Sequence, residues 1–159
     1  MISFRTARLH DIPVMQEVME QSIEERGTSH YNNDEIDALT QSHEERFFEA
    51  VLMGGSHVVI AEDGTQIVGF GGVNMANGVL SSLFVDPRYA DEGIGTELVD
   101  RIEQEAVDFG CSELVIYASD NAVPFYQNAG YNVVRDEKFQ TPDGRSVRCT
   151  FMRKEFRSD

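Results

Sequence analysis

The chain has 159 residues, 28 of them acidic and 13 basic, for a formal net charge of -15, with 41% hydrophobic and 26% charged residues. That length suits one ordinary domain whose core needs no disulfide or metal staple, and the composition excludes a disordered or collagen-like chain. The charge argues against general affinity for nucleic acid, whose phosphates such a surface repels, and no run approaches the ~18 apolar residues of a membrane span.

Met1-Ile2-Ser3-Phe4-Arg5 leads straight into patterned sequence without a signal-peptide core, so a cytoplasmic protein is expected. Ile2 to Arg5 alternates apolar and polar and reads as an edge or penultimate strand. Asp11 can cap a helix in which Ile12, Met15, Val18, Met19 and Ile23 recur near the helical period until Gly27 breaks the run. The polar stretch from Thr28 to Asn33 reads as a loop. Asn33 or Asp34 can cap a short helix through Leu39, and Ser42-His43-Glu44-Glu45 opens another with Phe47, Phe48, Val51 and Leu52 inward, ended by Gly54-Gly55.

The period then changes to two. His57 to Ala61, Gln66 to Met75 and Val79 to Val85 are β-rich runs separated by Asp63-Gly64 and Asn77-Gly78, both hairpin dipeptides, because tight primed turns need positive φ. An antiparallel meander follows. Gly95 to Phe109 places Leu98, Val99, Ile102, Ala106 and Phe109 on one helical face and stops at Gly110. Leu114 to Ala118 is a buried strand, and the intervening helix implies a parallel crossover from the Val79 strand.

Ser119 to Asn121 can cap a two-turn helix containing Ala122, Phe125 and Tyr126, with Pro124 tolerated in its first turn. Gly130 supplies a left-handed exit. Tyr131 to Val134 and Ser146 to Met152 read as a closing pair of strands joined through Pro142-Asp143-Gly144. The fold class is α+β, a mixed and mostly antiparallel sheet of about seven strands flanked by about four to five helices, within one domain spanning the whole chain.

Cys111 and Cys149 lie far apart without a Cys-x-x-Cys partner, so no metal site or disulfide is expected and both read as structural thiols. Lys138 and Lys154 are the only lysines, the other basic residues being Arg, and the acidic residues are scattered along the chain. That pattern suggests a surface adapted to concentrated salt, where a Debye length of about 3 Å at 1 M suppresses self-repulsion. A melting temperature indifferent to salt would mark an ordinary acidic protein instead.

The segment from Leu83 to Leu98 carries the chemistry. A strand ends, a loop with Gly93 and Gly95 turns, and a long amphipathic helix begins. Free backbone N–H groups and the positive helix terminus converge where glycine lets an anion approach, as a pyrophosphate cradle requires. No Gly-Lys-Ser/Thr follows, as a P-loop would need, and Leu98 stands where the third Rossmann glycine would be. A lone Gly-x-Gly, by itself, fits an ordinary strand-to-helix turn equally well.

Val85, Pro87, Gly93 and Gly95 match the pattern V-x-P-x-x-Q/R-x-x-G-x-G/A, and the segment resembles motif A of the GCN5-related N-acetyltransferases (GNAT). Ala122, Phe125, Tyr126, Gly130 and Tyr131 match that family's A-x-x-F/L-Y-x-x-x-G-F/Y segment, one helix and one strand further on. The wording around Ser119, Ala122, Phe125 and Tyr126 resembles the YafP-like branch, and the resemblance runs from Ile2 to the closing strands.

The resemblance implies that acetyl-CoA is the co-substrate and that an amine attacks its thioester directly, without an acyl-enzyme and without a metal. It implies pantetheine contacts from the backbone of Leu83, Phe84 and Val85, and pyrophosphate contacts from Ala90, Asp91, Glu92, Gly93, Ile94, Gly95 and Thr96. Ser119 and Asn121 join Tyr126 beside the cofactor, and Tyr126 is the general acid that protonates the departing thiolate. Relatives often dimerise.

The chain departs from the pattern at Ala90, where Gln or Arg is usual, and at Asp91-Glu92, where Gly and a basic residue are common. Arg88 is the nearest compensating charge. Where relatives often carry a carboxylate base this chain has Ser81 and Ser82, and Ser81 can serve as a water relay. His30, His57 and Glu113 are the other candidate bases. The acidic segment from Glu24 to Leu52, centred on His30-Tyr31, is expected to face a cationic amine acceptor. A catalytically degenerate coenzyme A sensor and an acidic protein-interaction module are the competing readings.

Overall fold

The structure, a computed structural model, describes residues 1–27, 32–38, 57–141 and 144–156, with the backbone but not the side chains of Arg26 and Phe139. Seven strands form one sheet: β1 (Ile2–Thr6), β2 (His57–Asp63), β3 (Gln66–Asn74), β4 (Val79–Val85), β5 (Glu113–Ala118), β6 (Asn132–Gln140) and β7 (Ser146–Glu155). Among the described residues four α-helices accompany them: α1 (Ile12–Gly27), α2 (33–38), α3 (Ile94–Phe109) and α4 (Val123–Asn128). The spatial order is β1-β2-β3-β4-β5-β7-β6, so β1 is an edge and β7 lies inside β6. All neighbours are antiparallel except β4 and β5, which the α3 crossover makes parallel. Among the described residues no helix is long and apolar enough to cross a membrane.

The sheet is covered on both faces because each long helix carries one apolar stripe. Leu98, Val99, Ile102 and Ala106 of α3 pack on Val68, Val73, Leu114 and Ile116. Phe109, expected on the same face, is instead exposed, because it is the last residue of the helix and lies past the buried stripe. Ile12, Met15, Val18, Met19 and Ile23 of α1 pack on Val58, Ile60 and Phe70 from the opposite side. Each fully buried aliphatic side chain in these layers contributes about 1.5–3 kcal/mol of transfer free energy.

Several local expectations shift. Asp11 does not cap α1, for its carboxylate turns back to accept from the Arg8 N–H at 2.7 Å and from both Arg5 terminal nitrogens at 2.8 and 2.9 Å. A 3-10 turn, Leu9–Asp11, opens the helix instead. Asn32, and not Asn33 or Asp34, caps α2, since its side chain accepts from Glu35 N–H at 2.8 Å while Glu35 reaches back to the Asn32 N–H. Ser119 to Asn121 give α4 no side-chain cap, because a 3-10 turn, Asp120–Ala122, feeds the helix directly and the Asp120 carboxylate is taken by Arg148 at 2.8 Å. The Ser42 helix with Phe47, Phe48, Val51 and Leu52, the Gly54-Gly55 stop, the end of α2 at Leu39 and the Pro142-Asp143 turn lie outside the described residues.

Two features of the sheet shape a cleft. The β3–β4 register passes from Gly72↔Ser82 to Val73↔Leu80, leaving Ser81 as the extra residue of a bulge. Strands β4 and β5 pair only at Val79↔Val115 and then diverge, so the later β4 residues have no partner strand on that side.

Candidate active site

The gap between β4 and β5 opens into a cavity of about 340 Å³. Leu83, Phe84 and Val85 line one wall, with their β5-facing backbone polar groups free of a partner strand. Ala90, Asp91, Gly93, Ile94, Gly95 and Thr96 form one end. Ser119, Asn121 and Tyr126 form the roof, and Ser81 and Ser82 lie on the β4 floor. Of the residues that the resemblance assigns to cofactor binding and of those read as acid and relay, all but Glu92 are part of the lining.

Asp86 builds the loop between β4 and α3. It is 2% exposed, accepts from the Arg88 N–H at 2.9 Å and caps the 3-10 turn Pro87–Tyr89. The Arg88 guanidinium, through a 2.7 Å bond, holds the Asp86 carboxyl below its usual range while burial opposes it. Arg88 is therefore committed to Asp86 and does not line the cavity. The loop then needs left-handed backbone at Asp91 (φ 64°) and Gly93 (φ 80°). Gly93 begins α3 without a side-chain cap, and Glu97 N–H to Gly93 C=O at 3.0 Å is the first helical bond. The N–H groups of Ile94, Gly95 and Thr96 consequently lack intrahelical acceptors and face an anion-sized space.

Tyr126 is 5% exposed and burial pushes its phenol well above the usual tyrosine range. It stays protonated near neutrality, as a hydrogen-bond donor to developing negative charge must. Its position is fixed by Phe125, whose ring is 5.2 Å away at 76°, and by Tyr131, 5.8 Å away at 73°. An added Cβ on Gly95 would lie 3.2 Å from Phe125 Cζ, so this glycine admits the Phe125 ring of α4.

The bulge does something the sequence did not announce. A Cβ on Gly72 would fall 2.8 Å from Ser82 Oγ and 3.3 Å from Ser81 Oγ. Adjacent strand residues ordinarily point to opposite faces, but here both hydroxyls meet beside Gly72 on the α1 side. Ser22 and Ile23 at the end of α1 line the cavity nearby, although the helical period marks Ile23 only as core.

The other candidate bases lie elsewhere. The His57 imidazole contacts the Glu105 carboxylate on α3, Glu113 pairs across the sheet with Glu155, and neither lines the cavity. His30 and Tyr31 lie outside the described residues. Cys111 Sγ points at the Met75 carbonyl 3.4 Å away, and Cys149 is 2% exposed. Among the described residues no group of three or more His, Cys, Asp or Glu is placed to hold a metal ion.

A parallel pair that splays around an anion-binding helix terminus, with a buried phenol above the split, defines an acyl-coenzyme A transferase architecture. The Acetyltransferase (GNAT) domain family matches residues 27–156, and the chain belongs to that family. It is 31% identical over 90 residues to the uncharacterized N-acetyltransferase YjcF of Bacillus subtilis, covering 55% of this chain and 64%, less than two thirds, of YjcF. It is 29% identical over 113 residues to the uncharacterized N-acetyltransferase YafP of Escherichia coli, covering 71% of this chain and 69% of YafP. A crystal structure of a GCN5-related N-acetyltransferase from Rhodopseudomonas palustris superposes with a TM-score of 0.88 at 26% identity, over 97% of this chain and 95% of that one. The PaiA N-acetyltransferase of Thermoplasma acidophilum, solved with coenzyme A, shares the fold at a TM-score of 0.80 and 19% identity, over 98% of this chain and 99% of that one.

Proposed function

We propose that this chain is an acetyl-CoA-dependent N-acetyltransferase, with residues 1–159 acting as a single catalytic domain on an amine acceptor. The observation that carries the reading is the juxtaposition of uncapped α3 amides, an unpaired β4 edge and the buried Tyr126 phenol around one cavity. The residues present fit acetyl-CoA, since first-turn N–H groups suit its pyrophosphate and a half-free strand edge suits the amides of its pantetheine arm. The bound co-substrate supplies an activated acetyl group.

The Ile94, Gly95 and Thr96 amides hold the anionic end, and Leu83 to Val85 align the arm along the strand. The thioester is thereby directed into the split under Tyr126. The phenol donates its proton to the sulfur as the C–S bond breaks, while the amine nitrogen forms the new C–N bond. The proton lost from nitrogen leaves through water held by Ser81 and Ser82, whose hydroxyls relay protons without acting as strong bases. The Tyr126 phenolate regains a proton from water, so that amide and thiol are the net products. Ser22 and Ile23 form the described part of the acceptor wall.

Release of free thiol from acetyl-CoA across a panel of polyamines, aminoglycosides, peptide N-termini and lysine peptides tests the reading. One acceptor class should give saturable, enzyme-dependent release that falls about 10- to 100-fold in Tyr126→Phe, with folding intact. Release from no acceptor class, despite bound acetyl-CoA, would argue against catalysis.

A further inference from the structure

The position of Tyr126 depends on a side chain far from it in sequence. Lys154 on β7 extends across the C-terminal end of α4, where its Nζ donates to the Ala129 carbonyl and to Glu103 Oε1 on α3, each at 2.8 Å. Ala129 is the residue that closes α4, so the ammonium also sits at the negative end of that helix. The Lys154 side chain is 28% exposed and that of Glu103 13%, a pair well withdrawn from water.

Gly130 makes this reach possible. Its φ is +99°, and a Cβ there would lie 3.2 Å from Lys154 Cε and 3.3 Å from Nζ. The lysine stem therefore fills the space the missing side chain leaves. Tyr131 follows immediately, with its N–H bonded to the Tyr126 carbonyl at 2.9 Å and the Lys154 Nζ 5.7 Å from its ring centroid. Burial, and then the Glu103 carboxylate that faces its hydroxyl, push the Tyr131 phenol above the usual tyrosine range, so Glu103 meets both the ammonium and the ring that follows α4. At its other end α4 is seated by Phe125 on Gly95 of the cradle. A compact ammonium with three rotatable donors addresses a carbonyl, a carboxylate and a ring at once here, a geometry that the planar fork of a guanidinium matches poorly. Apart from Lys154 and Lys138, every Lys or Arg position of the chain is Arg.

We propose that Lys154, tied by Glu103 to α3 and by the Ala129 carbonyl to α4, is a positioning residue that holds Tyr126 over the reacting sulfur. This rests on the acetyltransferase reading, in which Tyr126 is the acid. Lys154 itself touches neither substrate nor reacting atoms.

The test uses the full chain with Lys154→Met, with Lys154→Arg, and with Lys154→Met combined with Glu103→Gln, which removes the buried carboxylate that could unfold the single variant. Amide exchange is followed over residues 123–131, and enzyme-dependent thiol release from acetyl-CoA, above the uncatalysed rate, is followed with the amine of the acceptor panel that gives the fastest release by the parent protein. Exchange should quicken in α4 and not in α3. The kcat should fall about 10- to 100-fold with the acetyl-CoA KM within about twofold, as expected for a misplaced group. In a Tyr126→Phe background the Lys154 change should cost nothing further in kcat, and Lys154→Arg should recover little. Unchanged exchange in α4, or an equal loss of kcat with and without Tyr126, would overturn the positioning role while leaving the acetyltransferase reading standing. Failure of the parent protein to release thiol would instead bring down both, whatever the exchange shows.

Discussion

The Phe125 ring occupies the space directly over Gly95, where a Cβ would lie 3.2 Å from Cζ and 3.3 Å from Cε1. The second glycine of the cradle is thus a joint between α3 and α4. Gly95→Ala gains about 0.5–1 kcal/mol of helix propensity but pushes the ring by a few tenths of an ångström, so stability should change little. The displaced α4 should lower turnover about tenfold. Gly93→Ala is the contrasting case: nothing lies within 4 Å of its Cβ, but φ is +80°. It should lose about 1–2 kcal/mol of stability from backbone strain alone. Thermal melts and steady-state kinetics on the two variants separate these effects.

Gly72 should matter through the hydroxyls it accommodates. Gly72→Ala brings a methyl to 2.8 Å from Ser82 Oγ, a contact that rotation of the serine relieves. The cost in folding should be under about 1 kcal/mol, whereas turnover should fall several-fold if both hydroxyls order the departing water. A solvent isotope effect on kcat that differs between Gly72→Ala and the parent would support the water path. Unaltered kinetics would remove the serines from it.

The cavity lining contains no Lys, Arg or His among the described residues, and its one acidic side chain is Asp91. A polyphosphate ligand entering a protein of charge -15 meets net repulsion that salt screens. Acetyl-CoA affinity should therefore rise about tenfold from low to molar potassium chloride, opposite to a site built on basic side chains. Asp91→Asn, which keeps a residue tolerant of the left-handed backbone at φ 64°, should tighten low-salt binding and flatten the dependence. Weaker binding at high salt would contradict both this and the salt-adapted surface inferred from composition.

Much of this architecture could be read from residue order. The Val79–Val85 strand, a turn ending in Gly78 and the apolar face of α1 follow from local period and turn chemistry and lie where expected. The α3 face holds except at Phe109, which is exposed, and the turn spans residues 75–78 with positive φ at Gly78 and not at Asn77. What the sequence hid depends on contacts made in space. Asp11 looked like a cap because its partner Arg5 lies on another element. The bulge at Ser81 is invisible to a period-two pattern, although the Gly71-Gly72 pair opposite it was a signal that side-chain room was needed. The Lys154–Glu103 tie joins residues 51 positions apart, and only the rarity of lysine in the chain hinted at it.

Asp11 also sets an acid limit on stability. The Arg5 guanidinium chiefly, and the Arg8 N–H, hold its carboxyl below the usual range against the opposing effect of burial. A depressed folded-state value adds stability above the unfolded value of about 3.9, and that contribution disappears as pH falls through the folded value. Asp11→Asn should cost about 1–3 kcal/mol at neutral pH, in a site where its side chain is 4% exposed. Urea unfolding should show the gap between variant and parent closing below about pH 4, and a gap independent of pH would refute the assignment.

Binding of acetyl-CoA by the α3 terminus and the β4 edge is read out by calorimetric titration of the 159-residue chain with acetyl-CoA at molar potassium chloride. Gly93→Glu serves as the control, because a carboxylate side chain at the mouth of the cradle opposes the pyrophosphate, with its fold checked by thermal melting. The account predicts saturable one-to-one binding by the parent and none by the folded variant. No binding by the parent, or equal binding by both, would contradict it.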